Sequence, residues 1–349
     1  MSKQLENIKQ PVCIGTGLVA LDIVLNGNPI TPPAYYAGGS CGNVLTILSF
    51  LGWNTFPIAR LSTSTATDIL LEDIRIFKVN DELISTTKDG STPIIIHRIL
   101  TDKSGRPKHK FEFKNPYNGG YLPSYKPFLA NAVESVVTKR ETCDVFYFDR
   151  YNRASINLAK FYKSKGALVF FEPSSAKDIK LFKESVELAD IIKFSQDRIP
   201  EFESLYPQPV SCIEIKTLGE GGLLFRTREN SDWILSEALS IDHVVDTAGA
   251  GDWCSAGLLF YLHKMNMSAK HQFSIDIIKK ALKFGQTLSA YNCVFKGARG
   301  AMYHFDINSL INSAQMDAVK DTNKIQLPQL DKNISFKNNI DYNLEKVLS

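Results

Sequence analysis

Seven residues late in the chain read Asp246-Thr247-Ala248-Gly249-Ala250-Gly251-Asp252, and Trp253-Cys254-Ser255-Ala256-Gly257-Leu258-Leu259-Phe260 follow. A loop of small residues running into an apolar stretch predicts a helix with a carboxylate in its first turn. The first amides of a helix lack partners within it, and the macrodipole makes that end positive. Glycine lets a backbone approach a ligand closely. The amides of Gly249, Ala250 and Gly251 are therefore candidates for holding the charge on a transferring phosphoryl group. Asp252, beside them, is a candidate base for an attacking hydroxyl. The same residues also suit an ordinary glycine-rich loop with an aspartate placed at a helix start for the dipole.

Three more segments carry small residues where a backbone turns. Gly38-Gly39-Ser40-Cys41-Gly42-Asn43 precedes an apolar helix ending at Leu51-Gly52. Thr217-Leu218-Gly219-Glu220-Gly221-Gly222 and Lys296-Gly297-Ala298 are the other two. The D-T-x-G-A-G-D pattern at 246–252 resembles, at every fixed position, the signature of the PfkB family of ribokinase-like carbohydrate kinases. The other segments resemble further motifs of that family, in its order, over about residues 11–305.

The resemblance implies ATP-dependent phosphorylation of a hydroxyl on a small sugar or sugar-like molecule, with Mg²⁺ and a monovalent cation such as K⁺. Asp252 is then the base, and the loop from Gly249 through Gly251 is the anion hole. Gly38, Gly39 and Asn43 line the sugar pocket. Asp22 joins them as a ligand of sugar hydroxyls, since a carboxylate accepts two hydroxyls at once. Thr217, Gly219 and Gly222 support the nucleotide, and Asp246, Ala248 and Gly297 hold the monovalent cation. The family carries a β lid, and residues 23–36 and 92–115 fall where its two pieces belong. Excluding water under such a lid keeps the phosphoryl group from hydrolysis. A homodimer formed through the lid is one assembly compatible with this reading.

Two positions depart from the pattern. Many relatives have N-x-x-E near the magnesium, whereas Ser195-Gln196-Asp197-Arg198 reads S-x-x-R. Arginine cannot replace a carboxylate around hydrated Mg²⁺; Asp197 or Glu201 then serves instead, or Arg198 meets phosphate directly. Glu172, in Phe171-Glu172-Pro173-Ser174-Ser175, stands where relatives often have Asp. Arg150 ends a strand on the presumed ligand edge, as a substrate contact or as half of a surface ion pair. These departures keep two alternatives in view: a nucleoside kinase, and a catalytically silent ligand-binding or regulatory protein.

Other patterns are decoys. Gly15-Thr16-Gly17-Leu18-Val19-Ala20 reads G-x-G-x-x-A, but a dinucleotide fold needs a helix next and an acid about 20 residues on. Asn26-Gly27-Asn28-Pro29 breaks the segment, and Asp22 comes too early. No G-x-x-x-x-G-K-[ST] occurs. The aromatics over 117–128 read as lid or core packing, and Cys254 as a small core residue.

The elements that must position these residues follow from periodicity. Short apolar strands are predicted over 11–14, 18–25, 55–61, 143–148, 167–171, 190–194 and 211–216. Helices are predicted over 156–165, 177–188, 250–263 and 275–291, and around Val44–Leu51 and Ile69–Phe77. Alternation of this kind gives βαβ units and a mostly parallel sheet. Residues 93–100 and 108–114 form a hairpin, with His109, Phe111 and Phe113 on a buried face. The expected fold is a three-layer α/β sandwich of ribokinase-like type with a small β-sheet lid. Residues 1–316 would form the kinase domain, and 317–349 a polar, extended tail.

The bulk composition agrees. The chain has 349 residues, 44% hydrophobic and 22% charged, with a net charge of +3. That balance makes no case for nucleic acid or an anionic membrane as partner. The polar start reads neither as a signal peptide nor as a membrane span. Six scattered cysteines without a C-x-x-C pair suit a reducing compartment, hence the cytoplasm. The histidines lack zinc-ligand spacing.

Overall fold

Four-residue runs such as Val-Phe-Tyr-Phe are apolar on both pleat faces, so each must be covered on both sides. The computed structural model describes residues 10–26, 32–101, 107–265, 273–320, 322–331 and 342–348, and there these runs become the interior of one sheet. In chain order the first elements are β1 (Val12–Thr16), β2 (Ala20–Asn26), β3 (Ala34–Gly38), α1 (Ser40–Phe50), β4 (Asn54–Leu61) and α2 (Thr65–Ile76). β5 (Ile84–Thr86), β6 (Ile94–Thr101), β7 (Pro107–Glu112), α3 (Val133–Lys139), β8 (Val145–Phe148) and α4 (Arg153–Ser164) follow. Next come β9 (Leu168–Phe171), α5 (Ile179–Leu188), β10 (Ile191–Ser195), α6 (Phe202–Leu205), β11 (Ile213–Thr217), β12 (Leu223–Thr227) and β13 (Asn230–Ser236). The last are α7 (Ala250–Lys264), α8 (Ile275–Asn292), α9 (Ile307–Val319) and α10 (Leu344–Leu348).

Among the described residues, nine strands form a sheet in the order β13-β12-β11-β10-β9-β8-β1-β4-β5. Its strands pair in parallel except at β11–β12 and β12–β13. Two cores lie on its two faces. Val145 and Tyr147 of β8 join one, with α1, α7 and α8; Phe146 and Phe148 join the other, with α4 and α5. Helix starts are fixed locally. Asn152 accepts the amides of Ala154 and Ser155 at 2.9 and 3.2 Å, and the Asn152 amide donates back to Ser155 Oγ at 2.9 Å.

α7, which carries Asp252, packs on α8 through two glycines. A Cβ on Gly257 would lie 2.6 Å from Gly285 Cα, and one on Gly285 would lie 2.5 Å from the Cys254 carbonyl oxygen. Both contacts are with backbone, so neither helix can yield without moving. Gly285→Ala is therefore expected to destabilise the protein by about 1–3 kcal/mol, to be read from denaturant midpoints.

The lid is a second sheet in the order β3-β2-β6-β7, built from the two predicted excursions. Residues 27–31 and 102–106 lie outside the described residues. One expectation is corrected: Phe111 and Phe113 are not buried but 53% and 57% exposed. The alternation holds, but the face it defines looks into an open cleft rather than a core. Tyr117 and Tyr121, expected to pack, are likewise exposed.

The chain beyond residue 316 also differs from expectation. α9 continues to Val319. Ile325, Val347 and Leu348 are buried against the body despite their polar neighbours. A few apolar side chains suffice to dock such a segment, and composition averages hide them. No helix among the described residues is long and apolar enough to cross a membrane.

Candidate active site

In a parallel sheet the strand ends point the same way, and their carboxyl ends open onto one edge. Arg150 after β8, Glu172 after β9, Ser195 ending β10 and Thr217 ending β11 all line one cleft of about 540 Å³. The Asp246–Asp252 loop forms one wall, and His97, Phe111 and Phe113 of the lid face it. Asp22, Gly39 and Asn43 close one end; Thr217 and Gly219 belong to the sheet edge.

The predicted loop and helix are there. Gly249 is the residue before α7, with φ 76° and ψ −2°, and a Cβ on it would lie 2.1 Å from the Ala298 carbonyl oxygen. Only glycine fits that left-handed, crowded position. Of the three amides expected to be available, that of Ala250 is bonded to the Thr247 carbonyl at 3.2 Å. Gly251 lies in the first turn, where amides have no intrahelical acceptor.

Asp252 is partly buried and accepts the Asn43 side-chain amide at 2.8 Å. Burial first, and Glu172 second, push its carboxyl up to about 8, against the Asn43 hydrogen bond and the Lys193 charge. At the same end, Asp22 Oδ1 and Asn43 Oδ1 are buried without a hydrogen-bond partner. Unmatched buried acceptors are costly, and hydroxyl donors relieve them. Burial pushes Asp22 up to about 7, opposed by Arg299 and assisted by Asp73.

The glycine pair earns its place by geometry. A Cβ on Gly38 would lie 2.0 Å from Asp22 Oδ2, so Gly38 makes room for Asp22 without lining the cleft itself. Gly39 has φ 78°, and its Cβ would meet the Leu18 carbonyl oxygen at 2.4 Å. Beneath them lies a buried cluster that sequence reading missed. Arg299 pairs with Asp73 and donates to the Ala37 carbonyl at 2.6 Å; Tyr303 donates to Asp73 at 3.1 Å.

The second missed feature is Lys193. Its ammonium pairs with Glu172 and donates to the Gly251 carbonyl at 3.1 Å. Glu172 Oε2 also accepts Ser255 Oγ at 2.6 Å and Tyr147 Oη at 3.1 Å. Burial, the largest single influence, lowers the lysine's pKa, but Glu172, Cys254 and Asp252 together raise it and the net shift is upward. The glutamate at the departing position thus anchors the lysine that braces the loop from below. A lysine inside an apolar strand, two residues before the S-x-x-R stretch, was the available signal.

At the sheet edge, Gly219 has φ 60° in a short 3₁₀ turn. Gly222 does not line the cleft; its Cβ would meet the Ser236 carbonyl oxygen at 2.5 Å, so it seats the turn against β13. Asp197 and Arg198 line the cleft beside Ser195. Arg150 is held by its neighbour Asp149 at 2.6 Å, and Asp149 accepts the Leu18 amide at 2.9 Å. Cys254 is buried, as expected.

Asp246 braces the loop. Its Oδ1 accepts the Ala248 amide at 2.9 Å and its Oδ2 the Gly297 amide at 2.8 Å. No cluster of three or more His, Cys, Asp or Glu side chains suited to a metal occurs among the described residues.

No protein-family model and no curated protein sequence matches the chain. Solved structures do match. A fructokinase with bound ATP from Xylella fastidiosa superposes with a TM-score of 0.66 at 17% identity, covering 86% of this chain and 98% of that one. An uncharacterized sugar kinase from Pyrococcus horikoshii gives 0.66 at 20% identity, covering 88% and 100%. A nucleoside kinase from Burkholderia thailandensis in complex with inosine gives 0.64 at 16% identity, covering 87% and 97%. At these identities the likeness establishes the fold. The chain has the ribokinase-like fold of the PfkB-type kinases.

Proposed function

We propose that this protein is an ATP-dependent kinase that phosphorylates a hydroxyl of a small sugar or sugar-like molecule. The observation that carries the reading is Asp252: a partly buried carboxylate at a helix start, bonded to Asn43, in one cleft with Asp22. The acceptor binds at the Asp22, Gly39 and Asn43 end, where two buried acceptors lack donors. ATP binds along Thr217 and Gly219. The acceptor hydroxyl gives its proton to Asp252, its oxygen bonds the γ-phosphorus, and ADP leaves. The α7 dipole and the Gly251 amide stabilise the charge on the transferring group.

Mg²⁺ fits as an ion carried in by the nucleotide, because it keeps its waters and needs only one or two carboxylates. Asp197 lines the cleft and meets that need, whereas Glu172 is already held by Lys193, Tyr147 and Ser255. Bound there, the ion neutralises phosphate charge.

Asp252 acts as a base only when ionised. With its carboxyl at about 8 in the free protein, kcat/KM should rise about tenfold per pH unit and level off above about pH 8. A pH profile checks this. The reading itself is tested by coupled ADP release across sugars and nucleosides. A sugar hit supports it. Acceptor binding without ADP formation would point to a silent binder disabled at Arg198. A nucleoside is the second reading, because Phe111 and Phe113 put exposed rings on the cleft side of the lid, where a base can stack.

A further inference from the structure

The loop of Ala248 and the loop of Gly297 meet at one buried side chain. Asn292 ends α8 and is fully buried. Its Nδ2 donates to the Ala248 carbonyl at 3.2 Å and to the Gly297 carbonyl at 3.4 Å. Its Oδ1 accepts the Ala301 amide at 3.1 Å, which fixes the amide's orientation: oxygen toward Ala301, nitrogen toward the two carbonyls. Both Asp246 oxygens are already bonded to backbone amides of the same two loops.

These are the atoms the sequence motif offers to a monovalent cation, and they do not fit one. A cation needs converging oxygens with lone pairs to spare. Here the carbonyls converge on a positively polarised NH₂ group, which would repel a cation. We propose that the Asn292 amide takes the place of a monovalent cation, cross-linking the 246–252 loop to the 296–298 loop. The anion loop is then preorganised by the chain itself, and neither its stability nor its activity depends on K⁺ or Na⁺.

The activity arm of this proposal rests on the kinase reading, but the stability arm does not. The test is thermal melting of the full chain as KCl replaces tetramethylammonium chloride at constant ionic strength. The expected result is an unchanged melting temperature. Asn292→Asp puts an acceptor where the donor was and creates an oxygen-lined site. This variant should melt roughly 2–4 °C higher in K⁺ than in tetramethylammonium. A K⁺-dependent rise in the unmodified protein overturns the proposal, and it needs no variant to fold. If no acceptor is ever found, the kinase reading fails while the melting result still decides this one. If activity is found, K⁺-dependent turnover would likewise overturn it.

Discussion

Asp252→Asn is expected to lower turnover by about 10²–10⁴-fold with little change in acceptor affinity. Asparagine keeps the shape, and its carbonyl still accepts the Asn43 amide that now sits 2.8 Å away. What is lost is the ability to take a proton. A melting curve separates this from misfolding, and the sign of the linkage makes it informative. The folded carboxyl, at about 8, lies above its ordinary 3.8. The folded state therefore binds the proton more tightly, and the group's contribution falls as pH rises from about 3.8 to about 8. The asparagine variant escapes that cost and should be no less stable than the parent at alkaline pH. Single-turnover rates near parental values would remove Asp252 as the base.

Lys193→Met should have the largest effect on stability. Lys193 is 2% exposed and is the charge partner of the partly buried Glu172, which methionine would leave uncompensated. Breaking a buried pair from one side costs about 3–5 kcal/mol. The loop loses the Lys193 bond to the Gly251 carbonyl as well. Kinetics should respond in a direction that simple loosening would not give. Lys193 holds the Asp252 carboxyl down and Glu172 pushes it up. Other groups acting on Asp252 are Asn43 and Asp149, which neither variant changes. Lys193→Met should thus move the acid limb of the pH profile to higher pH, and Glu172→Gln to lower pH. The double variant should recover most of the lost stability. Limbs that stay in place in both variants would reduce the pair to a structural role.

The parts legible in the sequence were those whose cause is local. Short apolar runs such as Leu168–Phe171 announce strands covered on both faces, and the loop at 246–252 announces a helix start, because both signals lie within a few residues. What could not be read depends on distant partners. Asn43 meets Asp252 across 209 residues, and Arg299 meets Asp73 across 226. Lys193 has no local signature of its role, because Glu172 and the Gly251 carbonyl reach it from other elements. The burial of Phe111 and Phe113 failed for a related reason: alternation defines a face but not what that face looks at. β12, β13 and α9 were missed because their apolar residues come in short runs broken by polar ones, so neither a strand nor a helix period stands out.

The far end of the chain clasps the lid, and this gives synthesis an order. Tyr342 covers Tyr35 with ring centres 5.6 Å apart, and Tyr35 Oη donates to the Tyr342 carbonyl at 3.1 Å. Asn115, just past the lid hairpin, donates to the Leu348 carbonyl at 3.2 Å. Tyr35 sits on β3, an edge strand of the lid sheet, and waits 307 residues for its cover. At roughly 5–20 residues per second on the ribosome, that wait is about 15–60 s. For that interval Tyr35 lacks the ring of Tyr342, on an edge strand of the kind that can pair with neighbouring chains. A chain stopped short of residue 342 keeps every strand of the central sheet and still carries this surface, so it should be cleared by proteases faster than the finished protein.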